Sequence, residues 1–206
     1  MKGFTYENEN RNEELETYEW DNTWIDHADD TKTKRVLYIG DSISCATRTL
    51  ATAQCDEKIL FDGFGTSKGL DNPFFKECIK IFGKQQGQRE VILFNNGLHG
   101  WHLDDETEYG YHYEEMIKFL LEEFKNTPLF VVLTTHIADS EREKRVLVRN
   151  KVAQKIAEKY NLPVIDLYEV SSQKEGLLSQ DGVHLTTEGY ELLAEKIVSE
   201  IKTYLM

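Results

Sequence analysis

The chain has 206 residues, a length that suits one domain with a substantial core, or at most two very small ones. Its 40% hydrophobic and 30% charged residues are ordinary for a globular protein, and 3 prolines with 13 glycines exclude collagen-like and linker-like chains. A formal net charge of −13 argues against a nucleic-acid partner, which needs a basic footprint, and against anionic lipid surfaces.

The first residues, Met1 to Asn8, show no apolar signal-peptide core, which sets the expectation of a cytoplasmic protein. Residues 1–33 are acidic and polar but carry Tyr18, Trp20 and Trp24. Disordered segments are poor in aromatics, so this stretch is expected to be an arm that packs on the following domain and docks its indoles there. From residue 34 onward short apolar runs alternate with amphipathic segments. The predicted strands are 36–39, 58–61, 91–94, 129–133 and 163–165, each too short to cross a bilayer, which takes roughly 20 residues. Helical patterns at 73–82, 113–124, 143–160 and 187–204 lie between or after them. In 143–160, Val148, Val152 and Ile156 recur as one helix face requires. Strands alternating with helices specify βαβ units and a mainly parallel five-stranded sheet in an α/β fold. Cys45, Cys55 and Cys78 are odd in number and lack C-x-x-C spacing, so they are read as reduced thiols rather than a disulfide framework or zinc site.

In such a sheet, ligands bind beyond the carboxyl ends of the strands. The residues there are Gly40-Asp41-Ser42, the segment from Asp62 to Ser67, the segment from Asn95 to His102, Thr134-Thr135-His136, and Asp181-Gly182-Val183-His184. A serine at a strand-to-helix turn exposes its hydroxyl and places its N–H at a helix N-terminus; both suit a nucleophile that must stabilise an oxyanion. Ser42 has that position, although a helix cap would use the same residue types. A serine nucleophile needs a base and the base an orienting acid. His184 and Asp181 offer both, just before the last helix.

The pairing of Val36-Leu37-Tyr38-Ile39-Gly40-Asp41-Ser42-Ile43 with Asp181-Gly182-Val183-His184 resembles the SGNH (GDSL-type) hydrolase superfamily. The resemblance spans about 35–203, nearly all of the domain assigned to 34–206. It implies a flavodoxin-like three-layer α/β/α fold and a serine acyl hydrolase acting on esters, for which short acyl chains, such as acetyl on a carbohydrate or small molecule, are preferred. Trp20, Trp24 and Trp101 are candidates for stacking on sugar rings. The resemblance implies Ser42 as nucleophile, His184 as general base and acid, and Asp181 as the group orienting His184, with no cofactor or metal. It also implies an oxyanion hole built from the Ser42 N–H, a glycine N–H placed at Gly65, and a side chain of the third motif block. That block departs from the family's G-x-N-D, reading Gly97-Leu98-His99-Gly100. His99 therefore stands where asparagine is usual, with Asn95 or Asn96 as alternative donors.

Three other readings compete. Gly65-Thr66-Ser67-Lys68-Gly69 matches the G-x-S-x-G nucleophile elbow, but Gly69 and Asn72-Pro73 delay the helix that an elbow starts at its serine. His99, His102, His112 and His136, with Asp104 and Asp105, are ligand types for metal-dependent hydrolysis, without an H-E-x-x-H pattern. A non-catalytic carbohydrate-binding module on the same fold is the third, because fold does not dictate function.

Overall fold

A computed structural model describes residues 15–205. Among these, six strands form one sheet in the order β1-β3-β2-β4-β5-β6. They are β1 (Asp21–Trp24), β2 (Lys34–Gly40), β3 (Ile59–Thr66), β4 (Val91–Phe94), β5 (Leu129–Val132) and β6 (Val164–Ile165). All neighbouring pairs are parallel except β1 with β3, which is antiparallel. The five expected strands are present. The sixth, β1, comes from the arm, and its four residues are all exposed, so no apolar pattern announced it.

Strand alternation divides the core. Val36 and Tyr38 of β2, with Val91 and Leu93 of β4, pack against α1 (Ser42–Gln54), α5 (Leu167–Ser172) and α6 (Thr187–Leu205). Leu37, Ile39, Ile92 and Phe94 face α2 (Phe75–Gln86), α3 (Glu106–Glu123) and the inner stripe of α4 (Ser140–Lys159). Both faces are thus covered, which explains strands that are apolar throughout. The result is the three-layer α/β/α fold.

Three helices differ from expectation at their starts, among them α4, which begins at Ser140 behind an Asp139 cap rather than at residue 143. α2 begins at Phe75, after Pro73. α3 begins at Glu106, where Asp105 caps it by accepting from the Thr107 and Glu108 N–H groups, both at 3.0 Å. Its first two turns are polar and contain Gly110, so the apolar period starts only near Tyr113.

The sequence turns back across β2, whose neighbours are β3 and β4. Ser42 follows β2 and the third block follows β4, so both open onto the crevice at this switch point. The arm closes the opposite edge. Arg35 is buried and pairs with buried Asp62 at 2.9 Å, while its Nη2 donates to the carbonyls of His27 (2.7 Å) and Asp30 (2.8 Å). A buried guanidinium needs such partners, and here they tie the arm down. Among the described residues, no helix is long and apolar enough to cross a membrane.

Candidate active site

The chain leaves β2 at Gly40 and enters α1 at once. Asp41 is the N-cap, its Oδ1 accepting from the Ile43 N–H at 2.9 Å, and Ser42 is the first helical residue. The cap and the serine roles thus fall on neighbouring residues. The Asp41 carboxyl is raised to about 6 by burial, against the pull of the Ile43 N–H and of His184.

The Asp181–His184 turn is built locally. Gly182 takes φ +74, where an added Cβ would lie 2.9 Å from the Ala138 side chain, and the Ala138 N–H donates to the Gly182 carbonyl at 2.7 Å. Asp181 Oδ1 accepts from the N–H groups of Val183 and His184, both at 2.9 Å, and from the Ser179 hydroxyl at 2.8 Å. Its Oδ2 lies 2.7 Å from His184 Nδ1. Partial burial opposes the charge, but these donors together hold the Asp181 carboxyl well below the usual carboxylate range. His184 Nε2 in turn lies 2.9 Å from Ser42 Oγ. The carboxylate fixes the hydrogen on Nδ1, which leaves Nε2 as the acceptor for the Ser42 hydroxyl.

The third block is held from several sides. Asn95 and Asn96 point apart, as strand alternation requires. The Asn95 amide donates to the Val132 carbonyl (2.9 Å) and Thr134 Oγ1 (3.1 Å), whereas the Asn96 amide donates to the Lys68 carbonyl (2.9 Å). The Asn95 amide thus spends both hydrogens on β5 and the residues after it, and the Asn96 amide is turned towards the loop after β3. His99 is buried, its ring edge-on to Trp20 with centroids 5.9 Å apart. Burial first, then the Arg149 guanidinium and the neighbouring His184, lower its imidazole to about 4, so the ring is neutral at pH 7. Arg149, which no motif marked, reaches from α4 and donates to the carbonyls of Gly97 (2.9 Å), His99 (2.8 Å), Gly100 (2.7 Å) and Leu103 (3.1 Å).

Gly65 does not occupy the expected place. It lies inside β3, between Gly40 of β2 and Asn22 of β1. The Ser67 N–H donates to Trp20 at 3.1 Å, and N–H groups two residues apart on a strand share a side. The Gly65 N–H therefore faces β1, away from the end of β2 that carries Ser42. Its missing side chain serves packing instead, since a Cβ there would lie 2.2 Å from Cys45 Sγ.

The competing elements are placed elsewhere. Ser67 is fully buried under the arm, its Oγ accepting from the Trp20 N–H at 2.9 Å, so the G-x-S-x-G motif holds no exposed serine. His102 Nε2 lies 2.7 Å from Asp71 Oδ2, His136 Nδ1 lies 2.6 Å from Glu143 Oε1, and His112 packs on Tyr111. Asp105 caps α3, and among the described residues no three His, Cys, Asp or Glu side chains converge as metal ligands. Trp101 is buried beneath Arg142, Arg145 and Arg149, so it offers no face to a sugar. Trp24 is half-exposed on β1, contrary to the docked indole expected there. Trp20 does dock, against His99.

Residues 139–197, which include Asp181 and His184, match the GDSL-like Lipase/Acylhydrolase family. No curated protein matches the chain significantly. Among solved structures, an acetyl xylan esterase is similar at TM-score 0.66 and 19% identity, covering 81% of this chain and 99% of its own. A lipase/acylhydrolase from Enterococcus faecalis is similar at TM-score 0.66 and 19% identity, covering 84% and 97%. A GDSL-like lipase from Bacteroides thetaiotaomicron gives TM-score 0.66 at 15% identity, covering 85% and 91%. The chain thus shares its fold with these structures, and the segment that carries the Asp181–His184 turn has the sequence pattern of the GDSL-like Lipase/Acylhydrolase family.

Proposed function

We propose that the protein hydrolyses carboxylic esters through a serine nucleophile. The observation that carries this reading is the continuous Ser42–His184–Asp181 array, at 2.9 and 2.7 Å, at the N-terminus of α1. Each atom has one role. His184 Nε2 accepts the hydroxyl proton as Ser42 Oγ forms a bond to the ester carbonyl carbon. The carbonyl oxygen becomes an oxyanion, met by the Ser42 N–H at the helix start. His184 then gives its proton to the departing alcohol, leaving an acyl ester on Ser42. Water, deprotonated by His184, releases the acid by the reverse sequence. Asp181 stays ionised, holding Nδ1–H and stabilising the imidazolium.

His99 is the proposed side-chain donor to the oxyanion, because the Asn95 amide spends both hydrogens on Val132 and Thr134 and the Asn96 amide is turned to the Lys68 carbonyl. The buried Nδ1 has no hydrogen-bond partner, so the reading requires the hydrogen on Nε2. Gly65 is left out of the hole. The preferred substrate is a short acyl ester, such as acetyl on a carbohydrate or small molecule. The acetyl xylan esterase likeness supports that preference at the level of fold. The assembled array favours catalysis over a binding-only role.

The test is labelling by a fluorophosphonate, followed by hydrolysis of aryl esters of increasing acyl length beside acetylated sugars. Ser42 is expected to be the labelled serine, with rates highest for acetyl. Label on another serine, or none on a folded protein, overturns the reading.

A further inference from the structure

We propose that Glu16, in the arm ahead of β1, is a positioning residue for His99, which makes the arm a working part of the oxyanion site. This rests on the serine-hydrolase reading above. The starting observation is a charge in the wrong place. Glu16 carries a carboxylate whose side chain is 1% exposed, and a buried carboxylate is costly unless its oxygens are hydrogen-bonded. Its Oε1 accepts from the Gly100 N–H at 2.7 Å. Gly100 directly follows His99 and takes φ +63, so this bond fixes the turn on which the imidazole is mounted.

The same oxygen is 3.8 Å from His99 Nδ1, beyond hydrogen-bond reach. Glu16 therefore acts through the backbone amide, not through the ring. Arg149 grips the carbonyls of Gly97, His99 and Gly100, while Glu16 grips the Gly100 amide. A cation on the carbonyls and an anion on the N–H leave the loop one arrangement.

The arm is in turn moored to the loop after β3. Trp20 and Ser67 exchange two hydrogen bonds, Asn72 Nδ2 donates to Glu19 Oε1 at 3.0 Å, and Lys68 pairs with Asp21 at 2.7 Å. The Lys68 carbonyl takes the Asn96 amide. The arm thus bridges the second and third blocks, and Trp20 fills the side of the imidazole.

Glu16→Ala, Glu16→Gln and Asp21→Asn in the full chain test this. Misplacing a transition-state donor by about 1 Å costs roughly 100-fold, so Glu16→Ala is expected to lower kcat by roughly 10- to 100-fold with KM within about threefold. Glu16→Gln keeps an acceptor for Gly100 and is expected to restore kcat to within about threefold of wild type. Asp21→Asn weakens the Lys68 ion pair alone, leaves the Trp20–Ser67 and Glu16–Gly100 bonds in place, and is expected to leave kcat unchanged. A second readout does not depend on turnover. The Gly100 amide should lose hydrogen-exchange protection, and the His99 ring 15N signals should shift, in Glu16→Ala but not in Glu16→Gln. Unchanged His99 signals in a folded Glu16→Ala protein overturn the proposal, as does an equal loss of kcat in all three variants, which marks general loosening of the arm. Failure of the hydrolase reading shows separately, as absence of label on Ser42 in the wild type.

Discussion

The two halves of the candidate site are held in place by different means. The Asp181–His184 turn is held mainly by its own neighbours: Asp181 is bonded by Ser179, Val183 and His184, the Ala138 N–H adds one remote bond to the Gly182 carbonyl, and both partners of the pair are substantially exposed. The His99 loop is held from outside, by Glu16 far upstream and Arg149 far downstream, and is buried. Local bonding makes the first half tolerant of changes elsewhere in the fold. Remote bracing makes the second half sensitive to residues that never meet a substrate.

The largest expected effect breaks the first half at its reacting atoms. Ser42→Ala or His184→Ala should each lower kcat/KM by roughly 10⁴-fold or more in ester assays, with an unaltered circular dichroism spectrum. Asp181→Asn should cost less than His184→Ala, because the aspartate orients and stabilises without transferring the proton. Since its donors hold Asp181 below the usual range, it remains charged through acid pH, and the acid limb of kcat/KM should shift little until imidazole is replaced.

The next effect lies in the second half. His99→Ala should lower kcat by about 10²- to 10³-fold with a small change in KM, and His99→Asn should recover part of the loss. Asn95→Ala should act mainly on stability, by about 1–3 kcal/mol in urea unfolding, because it orphans the Thr134 region rather than the oxyanion. Near-full kcat in His99→Ala with a dead Asn96→Ala would show that the third block is aligned wrongly.

Arg149→Leu sharpens the contrast between the halves. It strands buried carbonyls and should destabilise by about 3 kcal/mol while lowering kcat, yet leave the Asp181–His184 hydrogen bond visible by proton NMR. Loss of that signal in a folded variant would show that the halves are not independent.

The smallest expected effect is on pH and stability. His99 is pushed from about 6.5 to about 4 by burial, with Arg149 and His184 contributing. A depressed imidazole contributes stability that is complete above the unfolded value and is lost as pH falls through the folded value. Between pH 7 and pH 4.5, wild type should therefore lose stability relative to His99→Asn, read as converging urea midpoints. A gap that stays constant would place His99 in solvent.

The sequence by itself determined the features that depend on near neighbours. The apolar runs and helical periods specify the α/β layers, because strand and helix periods are local properties of the chain. Ser42 at the end of β2 and the Asp181–His184 turn were legible for the same reason: a cap, a glycine at positive φ and a three-residue spacing act within a few residues. Only the tertiary structure decided the rest. Strand β1 has no apolar side to betray it and exists because β3 offers an open edge. Gly65 reads as an oxyanion glycine until the side of its N–H is known, and that side depends on β1 as its neighbour. Glu16 and Arg149 look like ordinary charges in acidic and amphipathic stretches. Their part comes from bonds across the fold to one loop, and sequence spacing carries no record of which distant backbone groups need a partner.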